Sequence, residues 1–422
     1  MKKKIQIVSI LCMMITNGLF AQESFKVMFY NLLNFPLETN VPNRIQHLDI
    51  ILNNYQPDIF AVCELNNESG ANNILQILHD RVSEDFRSAV FTLNTSDDNI
   101  GDQNDLQNLI FFNSSKFILE SQDIVQTLYR DFNHYKLKLN SVNQDSNPVY
   151  LDIIVCHLKA SSGEENQNLR LQMVQDLTTY LNSFPTDSQV MLAGDLNVYT
   201  NSEPAFQELI DNTNQIVFND PANRIGSWHN NINYVDVFTQ STRTQTGLGG
   251  TTGGMDDRFD YILTSTNMLS NSDIYYVADS YRSFGNNDNL NCYNSEIKDD
   301  DCAGTEFSSE IRNALYYFSD HLPVTLQLET NETLLNIPSY YLESLQIIGT
   351  NIIENKLEIK INNLSQHTKK LNIYSTLGQV VKTVPLGSTN VISLDISYLS
   401  NGLYYITLPN TQVKPLKFVK TN

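Results

Sequence analysis

Apolar and polar positions alternate along the chain with two periods that take turns from about residue 24 to residue 329. The runs FKVMFYNL, DIFAVCEL, QNLIFFN, YKLKLN, VYLDIIVCHL, SQVMLAGDLN, RFDYILTS and LPVTLQLE are strand-like. Several are apolar on both alternations, as strands covered on both faces are. Between them RIQHLDIILNNY, ANNILQILHDRV, NQNLRLQMVQDLTTYLNSF and SEPAFQELIDN repeat their apolar residues at helical spacing, with Ser202 placed to cap the last. This interleaving predicts an α/β body in which helices pack over sheet.

The pattern weakens after residue 330, around Pro338, and residues 331–344 read as a linker between the body, 22–330, and a terminal unit, 345–422. The terminal unit holds only short strands, KLEIKI, KLNIY, GQVVKTV, NVISLDIS, GLYYITL and LKFVK. They are parted by turn formers such as Leu377-Gly378 and Ser400-Asn401-Gly402. A small all-β sandwich with no cluster of chemical residues is expected there.

The first residues change the picture of where the chain works. Met1-Lys2-Lys3-Lys4 is followed by a short apolar run and by Leu19-Phe20-Ala21 before Gln22, the pattern of a secretory peptide over residues 1–21. In an exported protein, Cys292 and Cys302, which flank the polar loop NCYNSEIKDDDC, suit a disulfide. Cys63 and Cys156 lie in apolar strands, where buried inert thiols or a second bridge are the two readings.

Net charge is −20, and lysines outnumber acids in the terminal unit, so the body is more negative still. Such a body repels anionic surfaces. A polyanionic substrate would need metal ions and a few local arginines to hold it. The expected protein is a monomer without stable membrane association.

Polar residues of catalytic types end the apolar strands repeatedly. Asn31 ends FKVMFYN, Glu64 ends DIFAVCE and His157 ends LDIIVCH. Asp195 and Asn197 end QVMLAGDLN, Asp260 sits in DDRFDYIL, and Asp320-His321 precedes LPVTLQLE. A buried carboxylate is costly unless paired or bound to metal, so its repetition at strand ends predicts one shared site. Asp195 and Asn197, two apart, leave the same face if both are on a strand. With Glu64 and Asp320 they form a hard, oxygen-rich set suited to Mg²⁺, Mn²⁺ or Ca²⁺, and no His/Cys cluster has zinc spacing.

The ordered motifs FYNLLNF, CEL, CHLKA, GDLN, DDRFDYI and SDHLP resemble those of the endonuclease/exonuclease/phosphatase superfamily over about residues 24–328. The resemblance implies a four-layer α/β sandwich, two mixed β-sheets flanked by helices, acting as a Mg²⁺-dependent hydrolase with Mn²⁺ as the substitute ion. It implies that Asn31, Glu64 and Asp320 surround the metal, while Asp195 and Asn197 hold the phosphate, the attacking water or a second metal. Asp260 would orient His321, the base, and His157 would meet the phosphate or the leaving oxygen. Imidazole suits the base because its pKa lies near neutrality. The partner of His157 is open, since Asp105, Gln107 and Asn108 stand where deoxyribonuclease-like members carry a glutamate.

The stretch from Trp228 to Arg258 resembles a substrate-side loop of exported bacterial members, with Arg243 and Arg258 available to phosphate. A flexible linker is the other reading of its GLGGTTGG segment. Arg170 is a further candidate for substrate, or one face of a solvated helix. Asp299-Asp300-Asp301 is a possible structural Ca²⁺ loop or a solvated one.

The terminal unit, through LNIYSTLGQVV, SNGLYYITL and LKFVK, resembles the sorting domain of type IX exported proteins. That implies the type IX export machinery as a partner and an extracellular or cell-surface destination. A carbohydrate-binding module is the alternative. Three functions are therefore in play for the body: a secreted nuclease for DNA and RNA, a phosphoesterase for lipid headgroups or small esters, and a noncatalytic binding protein.

Overall fold

The computed structural model describes residues 22–95, 106–270, 273–335, 345–361, 370–386, 391–408 and 415–421. The secretory peptide at 1–21, Asp105 and most of the expected linker lie outside these residues.

The body contains β1 (Glu23–Phe35), α1 (Arg44–Tyr55), β2 (Ile59–Leu65), α2 (Glu68–Arg81), β3 (Phe86–Ser88), β4 (Gln107–Asn113), β5 (Phe117–Val125), β6 (Phe132–Leu139) and β7 (Tyr150–His157). It continues with α3 (Glu164–Leu181), β8 (Val190–Asp195), α4 (Pro204–Leu209), β9 (Phe218–Asn219), β10 (Asp260–Ser265), β11 (Ile274–Tyr276), β12 (Arg282–Ser283), α5 (Ser309–Phe318) and β13 (Val324–Thr330).

Two mixed sheets result. One runs β11-β13-β1-β2-β4-β3 with β12 beside β13, and the other runs β5-β6-β7-β8-β10-β9. The first pairs β1 with β2 in parallel, and the second pairs β7 with β8 in parallel.

The double-sided apolar character of the strands follows from four layers. The inner faces of both sheets share one core, in which Phe29, Ala61 and Ile110 join Ile153, Val155, Ala193 and Ile262. The alternate residues Ile154, Cys156, Leu192 and Tyr261 face outward and pack with Met173, Leu177 and Phe206 of α3 and α4. On the far side Leu48, Leu52, Ile74 and Leu315 of α1, α2 and α5 cover the first sheet, where Tyr30 packs tilted against Phe318 with ring centroids 5.2 Å apart. The expected four-layer sandwich is the observed one.

The eight strand-like runs and four helical runs appear with shifted ends. Ser202 does not cap α4: the helix opens at Pro204 behind Glu203, which makes no side-chain cap bond. The pattern missed β5, the short edge strands and α5. That helix opens on Ser308, whose hydroxyl accepts from the Ile311 N–H, a capping signal present in the sequence.

The terminal unit folds as β14 (Gln346–Ile347), β15 (Ile352–Ile353), β16 (Lys356–Lys360), β17 (Lys370–Ser375), β18 (Val380–Pro385), β19 (Val391–Asp395), β20 (Gly402–Thr407) and β21 (Leu416–Lys420). A three-stranded sheet, β14-β16-β19, and a five-stranded one, β15-β21-β20-β17-β18, enclose a core of Leu357, Ile359, Ile373, Ile406 and Phe418. Among the described residues no helix is long and apolar enough to cross a membrane.

Candidate functional site

Strand register gathers the first three side chains. His157 pairs with Asp195 across β7 and β8, and Asp195 pairs with Asp260 across β8 and β10, so the three share one rung on the inner face. Across the gap between sheets, Asn31 of β1 donates from Nδ2 to Glu64 Oε1 and to Asp195 Oδ2, both at 3.0 Å. Asp320 and His321 enter from the turn between α5 and β13. The site therefore lies at one end of the cleft where the inner faces meet, in a cavity of about 770 Å³ lined by Glu64, His157, Asp195, Asn197, Asp320 and His321.

His321 Nδ1 lies 2.7 Å from Asp260 Oδ2, and its Nε2 faces the amide of Gln240 at 2.6 Å. Burial pulls the imidazole pKa down, but the carboxylates of Asp260 and Asp320 hold it well above the ordinary value. His157 has no such anchor. Its Nδ1 is buried without a hydrogen-bond partner, and its Nε2 lies 3.6 Å from Asp195 Oδ2 and 3.9 Å from Glu64 Oε1. Burial and the cationic neighbours Arg130, His321 and Lys159 hold His157 well below the ordinary value, so this ring is neutral. Gln107 and Asn108 make bonds elsewhere: Gln107 accepts from the Asn94 N–H, and Asn108 donates to Asn133 and to backbone carbonyls.

The carboxylates are crowded. Burial pushes Asp195 up to about 7, with His321 pulling it back and Asp260 and Glu64 adding repulsion. Burial and Asp320 raise Glu64 likewise. Asp320 Oδ2 accepts from the Thr251 N–H at 2.7 Å and from Gln240 at 3.2 Å, while Oδ1 is buried with no partner. Among the described residues two groups of side chains could close on an ion, Glu64 with His157 and Asp195, and Asp195 with Asp260 and His321. Acidic oxygens held together against their own repulsion, one of them orphaned, fit a hard divalent cation. Glu64 and Asp195 belong to these groups, and Asp320, with its orphaned oxygen, lines the same cavity.

Three expectations need correction, and one open reading is narrowed. Asn31 Oδ1 accepts the Leu33 N–H, which fixes the amide so that its NH₂ braces Glu64 and Asp195. Asn197 lines the cavity, but not through strand periodicity. β8 ends at Asp195, and Asn197 turns to a φ of +51°, its N–H bonded to Asp195 Oδ1. The three arginines expected at the substrate are all fully buried. Arg170 pairs with Glu203 and the carbonyls of Lys159 and Ser161. Arg243 holds the carbonyls of Tyr316, Leu248 and Gly249, and Arg258 forks onto Asp220 at 2.7 and 2.8 Å. The acidic loop carries a short 3-10 turn at Asp300–Cys302 and, among the described residues, is not a group whose ligand atoms converge.

Other residues were missed. Gln240, inside the stretch from Trp228 to Arg258, touches both Asp320 and His321. Arg130 lines the cavity: its Nη1 is tied to the Leu158 carbonyl at 3.1 Å, and its Nε is buried without a partner. Nothing in TLYRDFNHY distinguishes that arginine from a surface one. Asn34 offers its N–H to Glu64 Oε2 at 3.0 Å, and Tyr199, His229 and Phe259 form an aromatic rim beside Asp256 and Asp257. Among the described residues the cysteines form one bridge, Cys292–Cys302, and two buried thiols, Cys63 and Cys156.

No curated protein matches the chain. Among solved structures it is similar to the human Nocturnin catalytic domain with bound sulfate, at 14% identity over 73% of this chain and 97% of that one, TM-score 0.41. It is similar to D. rerio TDP2 complexed with single strand DNA product, at 16% identity over 73% and 100%, TM-score 0.45. A third is an endonuclease/exonuclease/phosphatase family protein from Bacteroides thetaiotaomicron, at 14% identity over 76% and 99%, TM-score 0.43. Residues 351–420 match the family described as secretion system C-terminal sorting domain. The chain is therefore an exported protein that carries its type IX address at the C-terminal end, bound for the cell surface or the medium.

Proposed function

We propose that the α/β body is a divalent-cation-dependent phosphodiester hydrolase whose substrate is nucleic acid outside the cell. One observation carries the reading: Glu64, Asp195 and Asp320 converge with His157 and with the Asp260–His321 pair at one end of the inter-sheet cleft. The ordered strand-end motifs of the sequence support it independently.

A cation held by Glu64 and Asp320 would neutralise charge on the phosphoryl oxygens and on the departing oxyanion. The chain's own groups do the rest. His321, with Asp260 on its far nitrogen, takes the proton of the attacking water through Nε2, and Asp260 stabilises the imidazolium that forms. His157, being neutral, serves as a hydrogen-bonding group for a phosphate oxygen. Asn31 and Asn197 keep the carboxylate of Asp195 aimed, and Arg130, which lines the cavity, supplies the positive charge that Arg170, Arg243 and Arg258 do not.

A small phosphate diester is the second reading, favoured by the Asp256 and Asp257 carboxylates on the cavity rim, which would repel a continuing polyanion. The test is incubation of the purified protein with plasmid DNA and with bis(p-nitrophenyl) phosphate, each with Mg²⁺ and with chelator. DNA cleavage that stops with chelator supports the first reading. Cleavage of the ester alone supports the second, and inactivity on both overturns the two together.

A further inference from the structure

We propose that the loop closed by the Cys292–Cys302 disulfide is a strut that positions the Asp320 carboxylate for cation binding, with Glu296 as its positioning residue. The inference rests on the reading of Asp320 as a metal-side group.

Asp320 is held through the segment that contains GLGGTTGG. The Thr251 N–H donates to Asp320 Oδ2 at 2.7 Å. Gly250, at a φ of +68°, lies so close that a Cβ there would stand 2.4 Å from Asp320 Cγ. This close approach of backbone to carboxylate explains a glycine at that position. It also means that any shift of the segment moves the hydrogen bond on Asp320.

The segment is bracketed by the disulfide loop at both ends. Glu296 Oε1 accepts the N–H groups of Thr244 and Gln245, at 3.1 and 3.0 Å, and the Thr244 hydroxyl at 2.8 Å. The Ile297 N–H reaches the Thr242 carbonyl at 3.0 Å. At the other end Met255 donates to Ser295 at 3.1 Å and accepts from Asn294 at 3.0 Å. Between the brackets, Arg243 gathers the carbonyls of Leu248 and Gly249.

The loop is fixed in turn. Cys292 and Cys302 are both buried, and Arg312 of α5 donates to the Ile297 and Asp299 carbonyls. That helix ends at Phe318, two residues before Asp320. Both routes out of the disulfide loop therefore end on the same carboxylate. Glu296 is hydrogen-bonded on Oε1 and paired with Lys298 through Oε2 at 3.1 Å, so it is a hub and not a solvated acid.

The experiment measures Mn²⁺ binding to the full chain by the electron paramagnetic resonance of free Mn²⁺, a readout that needs no catalysis. Thermal unfolding and the KM for bis(p-nitrophenyl) phosphate at saturating Mg²⁺ run beside it. Groups that orient a metal ligand without touching the metal are worth about 10–100-fold in affinity. Glu296→Ala and the Cys292→Ser/Cys302→Ser double variant are each expected to weaken Mn²⁺ binding by about tenfold or more with KM unchanged. Glu296→Gln, which keeps an acceptor oxygen, should restore most of the affinity. Should one variant fail to fold, the other decides, and wild-type affinity in a folded one overturns the strut. Asp320→Asn separates the two readings: wild-type protein that binds no Mn²⁺, or an Asp320→Asn variant that binds it normally, overturns the metal site itself.

Discussion

Asp260 Oδ2 and His321 Nδ1 lie 2.7 Å apart, though 61 positions separate them in the chain. The contact leaves the other ring nitrogen, Nε2, facing the amide of Gln240 on the cavity wall. It also raises the pKa of the ring, because a buried carboxylate favours the imidazolium.

Removing the imidazole should therefore remove the chemistry and leave the fold. His321→Ala is expected to lower kcat by about 10²–10⁴-fold, the usual contribution of a positioned base. Asp260→Asn withdraws a carboxylate that raises the His321 pKa, so the acidic limb of the rate profile should move to lower pH while kcat falls. A pH–rate series on both variants at saturating Mg²⁺ checks this, and an unmoved limb in Asp260→Asn would count against the pairing.

Cation affinity should fall with acidity. Asp195 stands at about 7 and Glu64 above its ordinary value, so both hold protons into the range where free carboxylates are ionised. A cation entering the cluster displaces those protons. The Mg²⁺ concentration for half-maximal activity should accordingly rise as pH is lowered through about 7, and Asp195→Asn should flatten the dependence. Titrations of activity against Mg²⁺ at a series of pH values measure both.

Arg130 should matter to substrate more than to fold. Its Nε has no protein partner, and a charge-assisted hydrogen bond is worth about 1.5–3 kcal/mol. Arg130→Gln is expected to raise KM by about tenfold or more, with the thermal midpoint nearly unchanged. Steady-state kinetics beside a melting curve distinguish this from a structural loss.

Arg258 should behave in the opposite way. It is fully buried on Asp220, and removing one partner of a buried pair leaves an uncompensated charge that costs about 3–5 kcal/mol. Asp220→Asn should lower stability by that order in urea unfolding, with KM unchanged while the protein is folded. Burial pushes the Asp220 pKa up, but Arg258 overrides it and holds it below the ordinary range. The pair thus contributes stability at pH values above the unfolded carboxylate's pKa of about 3.9. That contribution is lost as pH falls through the lower folded value, a loss that Asp220→Asn should remove.

The three misplaced arginines show where the sequence stops being legible. Arg243 and Arg258 read as cations of a substrate-side loop, and Arg170 as a substrate cation or one face of a solvated helix; the structure turns all three side chains inward. Each guanidinium turns inward to carbonyls or to a carboxylate supplied by a distant segment, Glu203 for Arg170 and Asp220 for Arg258. Arg130, which does line the cavity, carries no local mark at all. The histidines and carboxylates were easier to place, because a polar residue at the end of an apolar strand is already an anomaly in the pattern.

By itself the sequence determined the two alternating periods, hence the layers, the strand ends where chemistry would gather, the cysteine pair and the terminal sandwich. Those features depend on local spacing, and local spacing survives in one dimension. Only the tertiary structure decided that Asn31 braces where it was expected to ligate, that His157 stands without a partner on Nδ1, and that a glycine-rich segment closes over Asp320. Such outcomes turn on which donor meets which acceptor across the gap between two sheets, and that distance exists only once the chain has folded.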